Sequence, residues 1–141
     1  MDAVDVPPGP LVLDTDVFSF IHLKKGRFVE FSALIAGHSF ALPFPVAGEL
    51  KVLAIRAGWG PARRAALEAD IGACVVIPSD ARVVDTWAEL QARFLERSGI
   101  NDLWIAACCL VHGLPLVTND VGDFQQVADE FPDLVLVHPD V

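Results

Sequence analysis

The chain has 141 residues, 53% of them apolar and 21% charged, enough for one compact domain that buries a core without staples. Its net charge of −9 argues against attraction to nucleic acid as a whole-molecule property, and its three cysteines, Cys74, Cys108 and Cys109, make a poor disulfide or zinc framework. No apolar run reaches membrane-spanning length, and the acidic, proline-rich start MDAVDVPPGP does not read as a signal peptide, so a soluble cytoplasmic protein with reduced core cysteines is expected.

Residues 1–10 are expected as a flexible extension and residues 11–141 as a single domain. LVLD reads as a buried strand, and DVFSFIHLKKG as a helix with Val17, Phe18, Phe20 and Ile21 on one side and Gly26 ending it. RFVEFSALIAG predicts a second helix, HSFALPF a strand, and PVAGELKVLAIRAG a helix with Pro45 near its start. A basic helix, PARRAALEAD, precedes the β-branched strand CVVIP. A helix over SDARVVDTWAELQARFLERSG follows, with Ser79 as N-cap and Gly99 at its end. INDLWIAACCLVHG reads as a buried helix with Asn101 or Asp102 at its N-terminus. LPLVTND is then a strand ending in polar residues, DFQQVADEF a helix opened by Gly122 and Asp123 and stopped by Pro132, and LVLVH a last buried strand. Strands alternating with helices predict a three-layer α/β/α fold around a mostly parallel sheet of about five strands.

In such sheets ligands bind beyond the carboxyl ends of the strands. Asp14 and Asp120 end the first and fourth predicted strands, while Glu49 and Asp102 lie early in helices that start from that edge. Carboxylates about 4 Å apart repel by roughly 4 kcal/mol per pair at an effective dielectric near 20, so a pocket gathering them calls for a hard divalent cation. Each acid alone has a plainer reading: Asp102 and Asp16 as helix caps, Asp123 as a charge favouring its own helix dipole. Glu49 stands out, since a charge between Val46 and Leu50 on an apolar helix needs a partner if buried.

LVLDTDVF, VAGEL, NDLWIAA and LPLVTNDVGDF, in that order, resemble the PIN-domain family, and most closely the VapC-type toxins of bacterial toxin–antitoxin pairs. The resemblance spans the chain after Leu11 and implies an endoribonuclease dependent on Mg²⁺ or Mn²⁺. It implies Asp14, Glu49, Asp102 and Asp120 as catalytic acids, with Asp14, Asp102, Asp120 and Asp123 as metal ligands. Thr118, Asn119 and Asp16 would support them by hydrogen bonding, Asp16 standing where many relatives have asparagine. It also implies a homodimer, an RNA substrate, and a cognate VapB-type antitoxin that holds the enzyme inactive. Other readings are an RNA-processing PIN nuclease outside any such pair, a haloacid-dehalogenase-like phosphatase suggested by LVLDTDVF, and a silent metal- or partner-binding module. The phosphatase motif wants threonine or valine at Phe18 and a downstream lysine, and every lysine precedes Val52.

All ten basic residues lie at or before Arg97, and only acids follow. Lys24, Lys25, Arg27, Arg56, Arg63 and Arg64 are therefore candidates for an RNA backbone track, or ordinary solvated surface. Trp59, Trp87, Trp104, Phe18 and Phe28 are candidates for base stacking, with core packing the commoner role of aromatics at such helical positions. The four histidines show no ligand spacing.

Overall fold

The computed structural model describes residues 1–94 and 99–141. Its sheet is built from β1 (Leu11–Leu13), β2 (Phe40–Pro43), β3 (Val75–Ile77), β4 (Leu116–Val117) and β5 (Leu136–Val137). They lie in the order β3-β2-β1-β4-β5, every pairing parallel. Seven α-helices among the described residues flank it: α1 (Thr15–Leu23), α2 (Phe28–Ile35), α3 (Phe44–Arg56), α4 (Pro61–Gly72), α5 (Ala81–Phe94), α6 (Ile100–His112) and α7 (Val121–Glu130).

Parallel strands need crossover connections, and the helices that supply them cover both faces of the inner strands. Leu11, Val12, Leu13, Leu116 and Val117 are accordingly almost fully buried. At the edge, β3 exposes Val75 and Val76. Cys108 and Cys109 sit in the core of α6 as free thiols, and burial pushes Cys108 up to about 12, which keeps it protonated and inert. No helix among the described residues is long and apolar enough to cross a membrane.

Several ends differ from expectation for local reasons. α1 stops at Leu23 with Lys24 in the left-handed conformation, before Gly26. Gly26 has φ +58° and lies against Phe20, where a Cβ would stand 2.7 Å from the ring, so the turn requires glycine. Asp80 rather than Ser79 caps α5, its Oδ1 accepting from Val83 N at 3.0 Å. Gly99 is the N-cap of α6, which places Asn101 and Asp102 inside its first turn. α7 begins at Val121, one residue before the expected glycine. The part of the helix expected over residues 95–98 lies outside the described residues. Residues 1–10 carry a short 3₁₀ turn (Ala3–Asp5), bury Val6 in the core, and bring the Met1 amine to the carbonyls of Pro139 and Val141.

The strand order decides where the site lies. From β1 the chain builds outward through β2 and β3, then returns to the other side of β1 with β4 and β5. Connections leaving β1 and β4 diverge, opening a crevice beyond their carboxyl ends.

Candidate active site

Asp14 stands at that crevice, between β1 and α1. Its backbone N donates to Val117 O of the neighbouring strand at 3.1 Å, and its side chain caps α1, Oδ1 accepting from Val17 N at 2.9 Å. Oδ2 accepts from the Thr118 hydroxyl at 2.6 Å and from Asn119 N at 3.2 Å. Thr118 is wholly buried and ties both strand ends together, since its hydroxyl oxygen also accepts from Asp120 N at 3.1 Å. Asp14 is only 8% exposed, and burial pushes its carboxyl up to about 6, against the three hydrogen bonds that favour the charged form.

Glu49 reaches the crevice from α3. Its Oε2 accepts from the Thr15 hydroxyl at 2.9 Å and its Oε1 from Asn101 Nδ2 at 3.0 Å. Asp102 approaches from the first turn of α6, close to Gly99, where a Cβ would lie 3.3 Å from its Oδ2. It too is pushed up to about 6, first by burial and then by the charges of Asp123, Glu49, Asp14 and Asp120. Asp123, near the start of α7, is raised by burial and by Asp120. These mutual shifts record that the acids share one field.

Six carboxylates, Asp14, Asp16, Glu49, Asp102, Asp120 and Asp123, line a cleft of about 120 Å³ floored by Ile105 and Phe124, and among the described residues no lysine or arginine lines its wall. Among the described residues no three His, Cys, Asp or Glu side chains stand as a ready-made cation cage. The donors fit a hard divalent cation nonetheless: all are oxygens, no described basic side chain among them balances their charge, and Mg²⁺ keeps several waters rather than demanding a full protein shell. The absence of lysine from the wall also leaves the phosphatase reading without its second group.

Every acid expected at the site therefore lines one cleft, with Thr118 and Asn119 on Asp14. None of the six expected basic residues lines the cleft. Lys24 and Lys25 follow the far end of α1, roughly 13 Å of helix from Asp14. Arg27 pairs with Glu30 and, at 3.2 Å, Asp140. Arg63 lies over the Trp59 ring, Arg64 donates to Trp59 O at 2.9 Å, and Arg56 is exposed at the end of α3. Trp59 and Phe18 are core, whereas half-buried Trp87 and Trp104 stack on each other with centroids 4.3 Å apart. Thr15 and Asn101 were not among the expected site residues. The signal that could have found them is the charge of Glu49 on an apolar helix, which demanded donors from elsewhere.

A family model described as PIN domain matches residues 11–130. Ribonuclease VapC5 of Mycobacterium tuberculosis is 34% identical over 118 residues, covering 80% of this chain and 84% of that protein. Among solved structures, the VapBC-5 toxin–antitoxin complex of the same organism aligns at a TM-score of 0.66 and 30% identity, over 93% of this chain and 99% of that one. VapBC2 of Rickettsia felis, bound to a DNA fragment from its promoter, aligns at 0.74 and 20% identity, over 91% and 97%.

Proposed function

Because this chain belongs to the PIN-domain family, we propose that it is the VapC-type toxin of a type II toxin–antitoxin pair, an endoribonuclease that hydrolyses RNA phosphodiester bonds at the cleft between β1 and β4. The observation that carries the reading is the convergence of six carboxylates, from α1, α3, α6, α7 and their approaches, on one crevice.

Asp14, Asp102, Asp120 and Asp123 would hold Mg²⁺ or Mn²⁺. When bound, such a cation neutralises charge on the scissile phosphate and makes water a stronger nucleophile at neutral pH. The chain supplies the geometry. Thr118 and Asn119 keep Asp14 aimed into the cleft, and Asp16 adds charge at its rim. Glu49 accepts a hydrogen bond from the attacking water and aligns it as the bond from phosphorus to the 3′ oxygen breaks. No side-chain nucleophile is needed, in keeping with thiols that are buried or away from the cleft.

The acidic, uncovered cleft also suits inhibition by a VapB-type antitoxin, whose arginine or lysine would sit among the carboxylates in place of cation and substrate. Antitoxin pairing is supported by the relatives solved as VapBC complexes. Homodimer formation follows the family resemblance, and among the described residues the exposed Lys24, Lys25 and Arg56 are basic residues that can meet an RNA backbone.

The test is to incubate antitoxin-free wild-type and Asp14→Asn protein with total cellular RNA in Mg²⁺, Mn²⁺ or chelator and to map the new ends. Discrete, cation-dependent cuts absent from the variant are expected. RNA left intact by the wild type, or cut equally by the variant, overturns the reading.

A further inference from the structure

We propose that Asn101 is a positioning residue: its side-chain amide, with the Thr15 hydroxyl, holds the Glu49 carboxylate in the orientation that meets the attacking water. The proposal rests on the ribonuclease reading of the cleft. Asn101 Nδ2 donates to Oε1 at 3.0 Å and Thr15 Oγ1 donates to Oε2 at 2.9 Å, so each carboxylate oxygen has its own donor. The terminal torsion of a glutamate is broad by itself, and donors on opposite oxygens fix its plane. A carboxylate offers about four lone-pair sites, and two filled ones leave the others for water.

Local structure frees Asn101 for this contact. An asparagine at a helix start commonly caps the backbone, but Gly99 holds the cap position of α6 and the Asn101 amide reaches across 52 residues of sequence to α3 instead. The bond is exposed, where a hydrogen bond adds little to folding, so its main consequence is geometric. Thr15 follows Asp14 and Asn101 precedes Asp102, so the immediate neighbours of two acids aim a third. Any shift of α6 against α3 would turn Glu49.

A double-mutant cycle on the purified full chain tests this. Asn101→Ala should lower kcat for a mapped RNA cut about ten- to a hundredfold, the range typical of groups that orient a metal-site residue, while KM stays within about twofold. Asn101→Asp, the same shape without the donor, should match it. Glu49→Gln combined with Asn101→Ala should be no slower than Glu49→Gln alone. A raised KM at unchanged kcat would make Asn101 an RNA contact, and multiplicative losses would make its role independent of Glu49; either overturns the proposal, as does full activity in Asn101→Asp. A second readout needs no catalysis. In metal-free protein the Asn101 side-chain amide resonances, identified by their loss in Asn101→Ala, should move in Glu49→Gln and stay fixed in Asp129→Asn. Resonances that ignore Glu49→Gln overturn the contact itself, whereas a wild-type chain that cuts no RNA overturns the reading beneath it even if the contact stands.

Discussion

Two acidic regions of this molecule are neutralised in opposite ways. Near the C-terminus, Glu30 and Asp140 share Arg27, whose guanidinium also lies over Phe31, so the negative charge is answered from within the fold. At the carboxyl edge of β1 and β4, six carboxylates line a cleft in which no basic side chain stands among the described residues. Acids alone therefore do not mark a site. What distinguishes the cleft is that no described basic side chain answers its charge, which leaves room for a cation or a partner's basic group. Hydrogen-bond donors, from Thr15, Asn101, Thr118 and the backbone, aim the carboxylates without neutralising them.

The largest effect that would break this contrast is on pH dependence. Asp14 is raised to about 6 in the fold, above the usual unfolded value near 3.9, so its protonated form favours folding. Its contribution is fully present below about pH 4 and is lost as pH rises through about 6, on the order of 2 to 3 kcal/mol for the metal-free protein. Half-exposed Asp102 adds a smaller effect of the same sign. Denaturant unfolding in chelator should thus show stability falling between pH 4 and 7, and saturating Mg²⁺ should flatten the fall. Stability that rises over that interval in chelator would sink the idea of an unbalanced cleft.

Thr118→Val comes next. It keeps the shape of a fully buried residue but strips one hydrogen bond from Asp14 and the acceptor for Asp120 N. RNA cleavage should drop about ten- to a hundredfold and stability by about 1 to 2 kcal/mol. Unchanged kinetics would show that Asp14 needs no such support.

Asp102→Asn has a smaller effect of opposite sign. It relieves repulsion from four neighbouring acids, so the variant should be more stable than wild type in chelator by up to about 1 kcal/mol, discounted for its partial exposure. The gain in Tm on adding Mn²⁺ should shrink at the same time. A variant less stable in chelator would mean that the acids do not burden one another.

Arg27→Ala gives the smallest change and sharpens the comparison from the other side. A small fall in Tm is expected from loss of the exposed pairs and the contact with Phe31, equal with and without Mg²⁺, and RNA cleavage should be untouched. A cleavage defect would place Arg27 on the substrate path after all.

Much of this was legible in the chain. The apolar run LVL followed by Asp14, and LPLV followed by Thr118 to Asp120, identified two strand ends and their polar residues, because strand burial and helix starts are local patterns. The acids of the cleft were legible for the same reason. Where the basic residues turn was not, since exposed cations carry no periodic signal and their partners are chosen in space. Helix ends slipped by one or two residues where neighbouring residues compete for a cap, as Ser79 and Asp80 do.

The sequence by itself determined the alternation of strands and helices, the family, and which acids would stand at element ends, because these follow from neighbours within a turn or a strand. Tertiary structure alone decided that β1 and β4 lie side by side, that Glu49 meets Thr15 and Asn101 across 34 and 52 residues, and that Arg27 turns to Asp140 across 113. Those choices depend on strand order and crossover direction, which bring distant residues within hydrogen-bond reach while leaving no trace in the local pattern.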